Sequence, residues 1–258
     1  MAEMRDVFKA EVARIVEEAI TNGRVGLLIQ DVSAVDDFDK ILYGECLARL
    51  GRPDGRVYDA AEFISCLEVS GAVSAFDQHV VGLVLDKLDD DPDLVLSCNL
   101  SADNLRGHAQ WDAIAGQIQL RPHLAERLVL ELTETQALQN VSFAATMIAG
   151  IRHCGCRVAL DDFGTGSATP ELLQLIDFDI IKIDRLFLHK NRRSADGFDS
   201  IRHLVGFASC FAPTVVVEGV ETAAHVAHAR IAGATHVQGH FISMPNARDH
   251  AAARRQET

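Results

Sequence analysis

Long apolar runs are missing from this sequence. No window is apolar enough for long enough to cross a bilayer as a helix, and the charged N-terminus lacks the apolar stretch of a secretory signal. Positive charge is scarce too. The 24 Lys and Arg against 37 Asp and Glu leave a formal net charge of −13, which argues against a sequence-independent hold on DNA or RNA, because that needs a basic surface. A small phosphorylated ligand stays open, since bound divalent cations invert the local sign. The six cysteines, at 46, 66, 98, 154, 156 and 210, show neither a CxxC pair nor zinc spacing. Most lie in apolar runs, where a free thiol packs as a small hydrophobe. A reduced, cytoplasmic chain with no membrane partner is the economical inference. Cys154-Gly155-Cys156 is too short and too isolated to establish a redox pair. No low-complexity linker marks a second domain.

Apolar material is plentiful, at 48% of 258 residues, enough for one large α/β domain or two small ones. Residues 1–20 read as an amphipathic helix or linker, with Val7, Val12, Ile15 and Val16 alternating with Glu and Arg. Residues 21–258 read as the body of the protein. Val25–Val32 and Ile41–Leu50 have strand character, separated by the short acidic segment Asp36-Asp37-Phe38-Asp39. That spacing suits a hairpin and not a helical crossover. Further strands are expected at Leu94–Leu100, Leu128–Leu132, Val158–Leu160, Asp179–Asp184, Thr214–Glu218 and Thr235–Phe241. Helix-sized segments separate them, among them Val73–Leu88, Val141–Arg152 and Ala223–Ile231. Strands alternating with helices indicate a parallel sheet, and the count of eight fits an α/β fold closed as a TIM-like (β/α)8 barrel. The short first connection makes the first strand antiparallel to its neighbour.

Polar groups recur near the C-terminal ends of these strands: Glu45, Asn99, Glu131, Asp161 with Asp162, Lys182, Glu218 and Gln238. In a barrel such positions converge on one rim. Carboxylates and an amide oxygen form a hard, oxygen-only ligand set, suited to Mg²⁺ or Mn²⁺ and not to zinc. Lys182 adds a compact positive charge. Each residue alone also has a plain structural reading: Glu45 paired with Arg49 on one strand face, Lys182 with Asp184, Asn99 capping a turn. The stretch Val158 to Gly166 likewise reads alone as a strand followed by an Asx-type turn. Seven strand ends repeating one pattern outweigh those separate readings.

The pattern resembles the EAL domain family, bacterial phosphodiesterases of cyclic di-GMP. The resemblance is carried by Glu45-Cys46-Leu47-Ala48-Arg49, Asn99-Leu100-Ser101, Glu131-Leu132-Thr133-Glu134, Asp161-Asp162-Phe163-Gly164-Thr165-Gly166, Lys182-Ile183-Asp184, Glu218-Gly219-Val220-Glu221-Thr222 and Gln238-Gly239. It implies a barrel with one reversed strand and a metal site at the rim. It further implies that Glu45, Asn99, Glu131 and Asp161 hold a first Mg²⁺ or Mn²⁺ and Asp162 a second. Lys182 then positions the attacking water, Glu218 serves as general base or ligand, and Glu134 anchors the loop from Asp162 to Gly166. Gln30 and Arg49 match substrate-contacting positions, and Glu221 and Gln238 fall in site motifs. The implied reaction opens cyclic di-GMP to linear pGpG, and the implied assembly is a homodimer paired near the Asp162 loop. The alternative implied by inactive relatives is a cyclic di-GMP receptor or protein-interaction module. Departures from the family pattern are Cys46 in the signature triplet, Leu50 for a usual Trp, Asp31 for a Pro and His240 for a Tyr. Cys46 should alternate away from Glu45 into the outer layer.

Overall fold

The computed structural model describes residues 2–133, 141–165, 170–190, 192–193, 195, 197 and 199–247. In chain order the elements are α1 (Ala2–Thr21), β1 (Val25–Ala34), β2 (Asp37–Gly51), β3 (Val57–Asp59), α2 (Ala60–Ser70), α3 (Val73–Asp90) and β4 (Leu96–Leu100). Then come α4 (His108–Gln119), β5 (Leu128–Thr133), α5 (Val141–His153), β6 (Arg157–Phe163), α6 (Pro170–Leu175) and β7 (Ile180–Ile183). The series closes with α7 (Arg185–His189), α8 (Ser200–Ala208), β8 (Thr214–Val217), α9 (Ala223–Ala232) and β9 (His236–Gln238).

The strands pair in the order β1-β9-β8-β7-β6-β5-β4-β2, and β1 pairs with β2 to close the barrel. β1 runs antiparallel to both neighbours, while the pairings from β2 through β4 to β9 are parallel. The physical reason is the one expected from the sequence: only Val35 and Asp36 separate β1 from β2, too few residues for a crossover. The short strand β3 was not anticipated; it pairs with β2 at Arg49–Gly51, beyond the barrel wall. α7 was also missed, since five residues carry too little periodicity to detect.

Period-two alternation sorts the strand residues into two layers. Cys46, Cys98, Leu130, Leu160, Ile181, Ile183 and Val217 face outward and pack in the main core. Val32, Tyr43, Val129, Ala159, Ile180 and Val216 form a small apolar plug inside the barrel. The polar residues two positions further along several of these strands therefore stack on that plug, at the C-terminal rim. α1 joins the body through Val16 and Ala19, both buried. Among the described residues no helix is long and apolar enough to cross a membrane.

Candidate active site

β7 reads Ile-Ile-Lys-Ile, and its alternation turns Lys182 inward while Ile181 and Ile183 pack outward. The Lys182 side chain is fully buried. Its Nζ lies 2.6 Å from Glu131 Oε2, 2.9 Å from Glu218 Oε1, 3.0 Å from Asp161 Oδ1 and 3.2 Å from Glu45 Oε2. One ammonium thus faces carboxylates from β2, β5 and the ends of β6 and β8. The plain readings of these residues do not hold: Asp184 caps α7 by accepting from Leu186 N at 2.8 Å, and Arg49 pairs with Asp59 at 2.8 Å instead of Glu45.

Amide side chains complete the cluster. Asn99 Nδ2 donates to Glu45 Oε1 at 2.8 Å, and Gln238 Nε2 donates to Glu45 Oε2 at 2.6 Å. Gln238 Nε2 also reaches Gln30 Oε1 at 3.4 Å, and Gln30 Nε2 donates to the Ser243 carbonyl at 3.0 Å. The cross-strand register accounts for this grouping, because Gln30 stands opposite Glu45 in the β1–β2 pair. Sequence reasoning missed Ser97, whose hydroxyl donates to Glu131 Oε1. Its signal was available: Ser97 lies two residues before Asn99 and so shares its inward face.

A single ammonium does not neutralise so many closely packed acids. Burial raises the Glu131 carboxyl to about 8, with Glu45 and Asp161 adding to the rise against Lys182. Burial likewise raises Asp161, and lifts Glu218 well above the usual carboxylate range. Asp162 goes to about 6, through burial and then the neighbouring Asp161. At Glu45 burial also opposes the charge, but Lys182, Gln238 and Asn99 outweigh it and hold the carboxyl below its ordinary value. Burial opposes the Lys182 charge too, yet the surrounding carboxylates raise its pKa well above that of an ordinary lysine. The cluster therefore takes up protons, or cations in their place.

The donor set fits a hard divalent cation. Glu45, Glu131 and Asp161 offer oxygens within 4.8 Å of one another, and so do Asp161, Asp162 and Glu218. Asn99 Oδ1 is buried beside the first triad and finds no hydrogen-bond donor among the described residues. An orphaned acceptor among carboxylates is costly unless a cation completes it.

Asp162 reaches the second triad by a backbone departure. β6 does not end at Leu160 but continues through Phe163, with a register shift between Leu160 and Phe163. Asp162 has φ 56°, the one non-glycine with positive φ among the described residues. Through this bulge both adjacent acids serve the rim, where a regular strand would send them to opposite faces. Above lies a cleft of about 500 Å³ lined by Gln30, Glu45, Asp162, Glu218, Glu221 and Gln238, among others. Gly239 allows the rim to close: a Cβ there would lie 2.2 Å from Val220 O. His240 also borders the cleft, and Arg49 sits further along β2, held by Asp59. Arg185, not anticipated from sequence, lines both this cleft and an adjoining one of about 570 Å³. Glu134 and Gly166 lie outside the described residues.

Comparison with known proteins agrees with this architecture. The chain matches the EAL domain across residues 13–245. It is 26% identical over 234 residues to the cyclic di-GMP phosphodiesterase PdeB of Shewanella oneidensis, covering 89% of this chain and 27% of that protein. It is 30% identical over 207 residues to the probable cyclic di-GMP phosphodiesterase PdeA of Escherichia coli, covering 79% and 28%. The chain thus spans less than a third of the length of these curated relatives. Among solved structures, the Xanthomonas citri FimX EAL domain in complex with c-diGMP superposes with a TM-score of 0.78 at 21% identity, covering 94% of this chain and 96% of that one, a likeness of fold. The chain belongs to the EAL domain family.

Proposed function

We propose that this protein hydrolyses cyclic di-GMP to linear pGpG with Mg²⁺ or Mn²⁺ at the barrel rim, residues 21–258 forming the catalytic unit. One observation carries the reading: two carboxylate triads share Asp161 around a buried lysine, beneath an open cleft. Glu45, Asn99, Glu131 and Asp161 are the ligands assigned to one ion, and Asp161, Asp162 and Glu218 to the other. Bound ions of this kind supply Lewis acidity and a water of lowered pKa.

The chain's own residues do the rest. Lys182 stays protonated, so its role is a fixed positive charge that orders the carboxylates and positions the attacking water, not a base. Glu218 borders the cleft and shares the second triad; bound cations would displace the proton that burial favours on it, leaving it ionised to serve as ligand or as base toward the attacking water. The water oxygen would bond to phosphorus as its proton leaves, the P–O3′ bond would break, the departing 3′ oxygen would take up a proton from solvent, and the water's proton would return to solvent from the base. Gln30, Glu221 and Gln238 are placed to contact the nucleotide. Arg49 would meet a substrate phosphate by exchanging it for Asp59. Glu134 retains its proposed role as anchor of the Asp162 loop, and a homodimer paired near that loop and a cytoplasmic location belong to the same proposal.

The test is product analysis with purified protein, cyclic di-GMP and each ion in turn. We expect pGpG from the wild type, and its loss in Glu45→Ala and Glu218→Ala. Nucleotide binding in calorimetry without turnover under either ion would establish the receptor reading instead.

A further inference from the structure

We propose that Ser97 is a positioning residue that orients the Glu131 carboxylate for its cation; the inference rests on the metal-dependent reading above. β4 presents two inward polar residues, Ser97 and Asn99, between β2 and β5. In register Ser97 stands beside Glu45, and Asn99 beside Glu131. The hydrogen bonds cross that register: Asn99 Nδ2 donates to Glu45, and the Ser97 hydroxyl donates to Glu131 Oε1. One strand thereby steers the carboxylates of both neighbours.

Glu131 depends on this more than Glu45 does. Both Ser97 and Glu131 have 0% exposure, so water does not replace a lost donor. The terminal torsion of a glutamate is soft, with a broad twofold preference. Two donors, Ser97 on Oε1 and Lys182 on Oε2 at 2.6 Å, fix the plane of the group. Each carboxylate oxygen has two lone-pair directions, so the serine bond leaves one on Oε1 for a cation. Without the hydroxyl, Oε1 is an unsatisfied buried acceptor. The carboxylate then turns both oxygens toward the ammonium, and the cation site loses an aligned ligand.

The experiment is a double-mutant cycle read as Mn²⁺ affinity by calorimetry without nucleotide. Ser97→Ala should weaken Mn²⁺ binding roughly tenfold or more, the usual effect of removing a residue that orients a ligand. In a Glu131→Gln background the same change should have little further effect, because the group that it orients no longer holds the ion. The cycle run with Ser97→Cys, a weak donor of similar size, should show the same coupling reduced. A general packing role predicts additive effects, and additivity overturns the proposal. Unchanged affinity in Ser97→Ala, with Glu131→Gln impaired, overturns it as well. A wild type that binds no Mn²⁺ removes the metal-dependent reading itself, and the role of Ser97 with it.

Discussion

Lys182 Nζ stands 3.0 Å from Asp161 Oδ1, and Asp161 belongs to both carboxylate triads. The ammonium and the proposed cations therefore draw on the same oxygens. The lysine holds together a group of acids that would otherwise repel one another, and the balance of charge around it links folding to metal binding.

Removing that ammonium tests the link. Lys182→Met should lower stability by about 3–5 kcal/mol in chelator, the range for leaving buried charges without a partner. Mn²⁺ should restore part of the loss, because a cation takes over the neutralising role. Urea unfolding with and without Mn²⁺ measures both. An unchanged midpoint in chelator would show that the cluster does not depend on the lysine charge.

Asp162 combines a left-handed backbone with a carboxyl raised to about 6 by burial and by Asp161. Asn tolerates that conformation and carries no charge, so Asp162→Asn should be at least as stable as wild type without metal near pH 7. Asp162→Ala should be about 1–2 kcal/mol less stable than Asp162→Gly, because a Cβ without polar compensation is disfavoured there. All three should lose hydrolysis at low Mn²⁺. Thermal melts paired with a metal titration of turnover read the two effects separately.

Stability should also carry a pH signature from outside the site. Asp77 on α3 accepts from Ser101 N at 2.8 Å and from Asn104 Nδ2 at 2.7 Å, bracing the turn after Asn99. Burial lifts its carboxyl from 3.8 to about 7. The folded state then holds this proton more tightly than the unfolded chain between those values. Its contribution is fully present below about pH 4 and is lost as pH rises through about 7. Asp77→Asn keeps an oxygen to accept both bonds and does not titrate. The variant should show a flatter fall in stability between pH 4 and 8 than wild type, measured by denaturant midpoints in chelator. Identical slopes would exclude Asp77 as the source.

Much of the barrel was legible because its signals are local. The four-residue acidic segment from Asp36 to Asp39 could not hold a crossover, so β1 had to reverse. Lysine in the run Ile180 to Ile183 could only face inward or disrupt the outer core, and period two settles which. Where the signal was weak the reading stopped short. The bulge at Asp161–Asp162 looks in sequence like the end of a strand, and β3 and α7 are too short to carry a pattern.

The sequence by itself determined which side chains share a face and which end of each strand carries the acids, since alternation and chain order require no long-range information. Distances across the barrel were decided by closure alone. Closure set Lys182 among four carboxylates, while the β2–β3 pairing turned Arg49 to Asp59 and the β4–β5 pairing placed the Ser97 hydroxyl on Glu131. Those choices depend on strand register and on competition among buried donors for the same oxygens, and both exist only once the eight strands have met.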